Sequence, residues 1–132
     1  MSAYSPESLE SNSCDLEIYK IAFEAAMKIF ELSKSFPIEE RYSLTDQIRC
    51  ASRSVCAKIA EAWQKRRYEA AFIANLNDCE AQVSITQTWI EFAVKCNYMD
   101  VQRGRELHGS YNKVLFGLLN MINHPSPWLV NH

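Results

Sequence analysis

A chain of 132 residues that is 48% hydrophobic and 23% charged has the size and balance of one globular domain with a core, which excludes a disordered or fibrous protein. Its three glycines, Gly104, Gly109 and Gly117, leave no way to write the Gly-rich phosphate-cradling loop of a nucleotide-binding α/β enzyme. The net charge of −2 excludes a chain that binds polyanions through its overall charge, and no apolar window approaches the roughly 18 residues of a membrane span.

The opening stretch MSAYSPESLESNS is Ser-rich and has no basic segment ahead of an apolar run, so residues 1–14 are expected to be a flexible tail and not a signal peptide. Over residues 15–34, Leu16, Tyr19, Ala22, Phe23, Ala26 and Phe30 recur at helical spacing behind a candidate N-cap, Asp15, and predict the first helix. Phe36-Pro37 breaks it, and Ser43 followed by Asp46 predicts a fresh N-terminus for a second helix running to about residue 64. The run Lys65-Arg66-Arg67 is the expected corner. Residues 68–95 contain neither Gly nor Pro and read as a long third helix with Asn97 as its C-terminal cap. Asp100 caps a fourth helix carrying Leu107, Tyr111, Val114, Leu115, Leu118 and Ile122 on one side, until Pro125 ends it and residues 125–132 follow as a C-terminal tail. Four helices joined by short connections over residues 15–124 predict an all-α fold, an antiparallel up-down-up-down four-helix bundle.

The helix faces carry more apolar surface than a bundle core uses. On helix one the charges Glu17, Lys20, Glu24, Lys28, Glu31 and Lys34 share one stripe, and the remaining arc, with Ile18, Ile21, Ala25, Ile29 and Leu32, is nearly all apolar. On helix three Phe72, Leu76, Cys79, Val83, Ile90 and Val94 form one stripe, while Ala74, Ala81, Ile85, Trp89 and Phe92 form another on the opposite side. A bundle buries one stripe per helix, so Ile18, Ile21, Ile29, Leu32, Ile85, Trp89 and Phe92 are the expected surface of a homo-oligomer. The alternative is a helix buried on two sides within one chain, under Trp128-Leu129-Val130.

Tests for catalytic chemistry fail one after another. A di-iron bundle needs Glu-x-x-His motifs, and Glu106 stands two residues from His108 instead of three. The five cysteines form no CxxC pair and have no sequence-linked base, so they read as buried thiols of a cytoplasmic protein. No metal, cofactor or small-molecule substrate is expected. Charge, however, is uneven: between Arg41 and Arg67 seven basic residues stand against two acidic ones, a local +5. Arg49, Arg53, Lys58, Lys65, Arg66 and Arg67 are therefore the candidate contacts for RNA or DNA, with Arg49 and Arg53 on the solvent face of helix two. Pairing of Lys58 and Lys65 with Glu61 is the competing reading of those two lysines.

The stretch Gln47-Ile48-Arg49-Cys50-Ala51-Ser52-Arg53-Ser54-Val55, followed by Ala57-Lys58-Ile59-Ala60-Glu61-Ala62, resembles the signature of the small four-helix-bundle proteins encoded within 23S rRNA intervening sequences. Asp15-Leu16, Phe36-Pro37 with Glu40 and Tyr42-Ser43-Leu44, and Asn97-Tyr98-Met99 are similar to the family's helix opening, first loop and last turn, so the resemblance spans residues 15–124. It departs at Cys56, where Pro is common, at Lys58, where Asn is usual, and at Ala62, where Gly is usual. Alanine being the best helix former, helix two is expected to run on with a straighter junction near Trp63-Gln64. The resemblance implies a non-enzymatic bundle, similar to members that form ring-shaped homopentamers and to accessory proteins of diversity-generating retroelements that bind nucleic acid through a basic surface. A protein-interaction scaffold with no nucleic-acid role is the competing expectation.

Overall fold

The computed structural model describes residues 16–130 and contains four α-helices in those residues: α1 Glu17–Ser33, α2 Asp46–Gln64, α3 Glu69–Lys95 and α4 Val101–Asn123. Each helix packs on two others, α1 on α2 and α4, and α3 on α2 and α4, so the bundle closes as a square with α1 and α3 on one diagonal. Neighbours run antiparallel. The C-terminal half of α4 meets the start of α1 where Gly117 faces Ile18, and Cys79 of α3 donates its thiol to the Val55 carbonyl of α2 at 3.3 Å. The all-α up-down-up-down bundle is as expected.

The core stripe of α1 is Ile18, Ala22, Ala25, Ile29 and Ser33. This corrects the expected stripe, since of the residues read as core-facing Phe23 is 49% exposed, while Ile29 is wholly buried. An α1 apolar over most of its circumference has no periodicity that chooses a side. Packing chooses: Ile18 and Ile29 are buried in the core, and are thereby removed from any surface between chains. Asp15, the expected cap, lies outside the described residues, and Leu16 starts the helix without a side-chain cap.

Helix two also begins differently. The chain passes from a 3-10 turn at Ile38–Glu40 through a π turn at Arg41–Thr45 directly into α2, with Thr45 already in right-handed helical geometry. Ser43 is thus no cap; its Oγ donates instead to Glu40 Oε1 at 2.6 Å. Glu40 Oε2 accepts from the Tyr98 hydroxyl at 2.8 Å, tying the first loop to the turn between α3 and α4. The bonds from Ser43 and then Tyr98 hold the Glu40 carboxyl below the usual carboxylate range, and the Glu40 acceptor pushes the Tyr98 phenol up to about 12.

The corner at Lys65-Arg66-Arg67 lies where expected, and α2 stops at Gln64 despite Ala62 and does not run on. Arg66 accounts for the stop: its Nε donates to the Trp63 carbonyl at 2.8 Å, satisfying a helix-terminal acceptor, while its guanidinium lies 3.9 Å from the Trp63 ring centre. The last turn of α3 closes on Asn97, whose φ of 63° is left-handed; Tyr98 N–H donates to Ala93 O and Asn97 N–H to Val94 O, a paired arrangement asparagine tolerates well. Asp100 Oδ2 accepts from the backbone N–H of Gln102 and Arg103, the cap expected for α4.

Past α4 the chain does not trail off as a tail over its described length. Ser126–Trp128 makes a 3-10 turn, the Trp128 ring meets Trp63 edge-on at 6.1 Å, and Val130 N–H donates to Arg66 O. This segment covers the α2 end, not the second stripe of α3, so the doubly buried α3 is set aside. Among the described residues no helix is long and apolar enough to cross a membrane.

Candidate nucleic-acid interface

A guanidinium is planar and weakly hydrated, and it gains attraction from the negative face of an aromatic ring. Phe30, on the α1 flank that meets α2, supplies such a ring. Arg49 Cζ lies 4.9 Å from its centroid, Arg53 Cζ 5.6 Å and Lys34 Nζ 4.9 Å. Arg49 and Arg53 are four residues apart on α2, and Phe30 of α1 and its C-cap residue Lys34 are also four apart, so each side of the contact offers one adjacent pair to the other.

The two arginines are held differently. Arg49 is half-buried: its Nε donates to Ser33 Oγ at 2.8 Å and Nη2 reaches the Phe30 carbonyl at 3.5 Å. Its expected place on the open solvent face is corrected accordingly, because the end of α1 presents two acceptors to it. Arg53 is exposed, and makes no hydrogen bond or ion pair among the described residues. Neither arginine is ion-paired among those residues, whereas Lys34 pairs with Glu31 at 3.2 Å. A recess of about 610 Å³ opens beside them, lined by Phe30, Asp46, Arg49, Cys50, Arg53, Ser54 and Ala57.

The other four candidates stand apart. Lys58 pairs with Glu61 at 3.4 Å, Arg66 is committed to Trp63, and Lys65 and Arg67 are exposed at the corner. Twelve residues of helix separate Arg53 from Lys65, about 18 Å along the axis, so the structure gathers Arg49 with Arg53 and leaves the corner as a separate patch. Phe30 and Lys34 belong to the cluster and were not singled out by sequence reasoning. A Phe-x-x-x-Lys spacing beside an Arg-x-x-x-Arg spacing was the available signal, but it needs the knowledge that those two faces meet.

Of the expected oligomer surface, Ile85 and Phe92 are 40% and 53% exposed, while Ile21, Leu32 and Trp89 are half-buried against the core. Phe92 also shares an apolar groove of about 690 Å³ between α3 and α4 with Val94 and Val101. The cysteines divide. Cys56 and Cys79 are buried thiols, pushed up by burial to about 11 and 12, but Cys50 and Cys96 are exposed, which corrects the reading of all five as buried; Cys14 lies outside the described residues. Among the described residues no group of three or more His, Cys, Asp or Glu side chains is placed to hold a metal ion.

Comparison with solved structures finds a protein of unknown function from the S23 ribosomal protein family of Bacteroides thetaiotaomicron, with a TM-score of 0.71 at 23% identity over 80% of this chain and 97% of that one. At that identity the likeness speaks for the fold. No curated protein matches the chain. The family model of the 23S rRNA-intervening sequence proteins matches residues 14–120, and the chain belongs to that family.

Proposed function

We propose that this protein is a non-enzymatic, self-associating bundle of the cytoplasm that contacts the phosphates of RNA or DNA through α2. The observation that carries the reading is the Phe30 cluster: two arginines side by side, with no ion pair among the described residues, on a helix whose surrounding segment holds a local +5 in a chain of net −2. Lys65 and Arg67 extend the basic surface to the corner. Repetition around a homo-oligomer, a pentamer by the family resemblance, multiplies that surface and offsets the modest charge of one chain. Self-association is supported by the exposed Ile85 and Phe92, and a reducing compartment by the free thiols Cys50 and Cys96.

Binding of a labelled oligonucleotide, followed by fluorescence anisotropy across a salt series, tests this. Arg53→Ala is the informative variant because Arg53 makes no hydrogen bond or ion pair among the described residues and touches the fold only through its contact with the Phe30 ring. Its affinity is expected to fall and its log–log salt slope to flatten by about 0.7 to 0.9 for each phosphate that is no longer neutralised. An unchanged slope removes Arg53 from the contact surface. Absence of binding by the wild type at low salt overturns the reading and favours a protein-interaction scaffold using the exposed apolar faces.

A further inference from the structure

The recess beside Phe30 is chemically mixed in a way that a phosphate site is not. Its lining residues include Phe30, Arg49, Arg53, Ser54 and Asp46, which carry an aromatic ring, two guanidinium groups, a hydroxyl and a carboxylate. A carboxylate repels a phosphate, yet accepts hydrogen bonds from the N–H edge of a base. The recess is a shallow, open depression, whereas a helix or strand that reads duplex grooves must protrude, since paired bases remain stacked inside the duplex. Arginine planes accept a stacked base as an aromatic ring does, and here Phe30 backs both, Arg49 being fixed further by Ser33 and the Phe30 carbonyl.

We infer that this recess takes an unstacked base of a single-stranded nucleic acid, the base lying on the Arg49 and Arg53 guanidinium planes with its N–H edge toward Asp46. The inference rests on the nucleic-acid reading above and narrows it from phosphate contact to single strands. Phe30 acts as a positioning residue: it holds the guanidinium planes at the recess and need not touch the base.

The test compares three probes on the wild-type chain: a short single-stranded RNA of mixed sequence, the same sequence as a duplex, and an abasic strand of equal length. The base-bearing strand is expected to bind about tenfold more tightly than the abasic one, the effect of one stacked base, and more tightly than the duplex. Phe30→Leu, which keeps an apolar side chain at the helix contact, is expected to lose that difference while retaining the salt slope; Asp46→Asn checks the base edge in a variant with an intact ring. Equal affinity for base-bearing and abasic strands overturns this inference and leaves phosphate contact standing. Tighter binding of the duplex than of the single strand overturns it likewise. A chain that binds none of the three probes overturns the parent reading as well. The wild-type comparison needs no variant to fold.

Discussion

Tyr111 is fully buried on α4, and its hydroxyl meets no hydrogen-bonding partner among the described residues. Burial first, then the nearby Cys56 and Cys79 thiols, pushes its phenol well above the usual range. A buried hydroxyl without a partner has lost its water and gained nothing, and Tyr111→Phe removes that deficit while keeping the ring. The variant is expected to gain about 1 kcal/mol in denaturant unfolding. A decrease of similar size shows that the hydroxyl is bonded in solution. The arginines illustrate what single residues reveal in sequence: spacing put Arg49 and Arg53 on one face of α2 correctly, but only the packed end of α1, with Ser33 and the Phe30 carbonyl, makes one a bridge and leaves the other exposed.

Individual helices were legible in proportion to their punctuation. Asp100, Asn97 and the Lys65-Arg66-Arg67 corner each mark a boundary through local chemistry, and each boundary stands where that chemistry puts it. Ser43 misled because a serine followed by an aspartate three residues on has the form of a helix start, while the π turn at Arg41–Thr45 already runs into α2 and leaves no helix start at Ser43 to cap. On α4 the glycines separate two uses of the same residue. A Cβ on Gly104 meets Val94 Cγ2, and one on Gly117 meets Ile18 Cγ2, so these two permit close approach to α3 and α1; a Cβ on Gly109 meets nothing. Gly109→Ala is therefore expected to stabilise the chain by about 1 kcal/mol, the helix-propensity difference. Gly104→Ala is expected to cost about 1 kcal/mol, because Val94 is β-branched and must leave its preferred helical rotamer to make room for the methyl group. Thermal unfolding of the two variants checks the contrast, and a Gly109→Ala that destabilises means the open space beside it is filled in the working protein.

At the scale of the whole molecule the square packing places α1 and α3 at opposite corners, and each carries part of the surplus apolar surface, with more lying on α4 at Val101 and Phe116. Phe23 and Met27 are exposed on α1, Ile85 and Phe92 on α3. The sequence showed that such a surplus existed on both helices; which α1 residues carry it needed the fold, since Ile18 and Ile29 turn inward and Phe23 turns out. Two unlike patches on opposite sides of one chain suit a head-to-tail contact, α1 of one copy on α3 of the next, which closes into a ring when the rotation allows; a two-fold dimer would use one patch twice. The two arrangements part company when each patch is damaged separately. Phe23→Asp with Met27→Asp leaves an intact α3 face, and Ile85→Asp with Phe92→Asp leaves an intact α1 face; because Phe23 also stacks on Tyr19 and Phe92 packs on Trp89, circular dichroism is used to check that each pair keeps the helices. By light scattering the wild type is expected at a multiple of the 15.2 kDa chain and each variant alone as a monomer. An equimolar mixture is expected to form one junction and stop at a heterodimer, because each complex then ends in a damaged face. If either variant alone remains a dimer, the surviving patch pairs with itself and the head-to-tail ring is wrong.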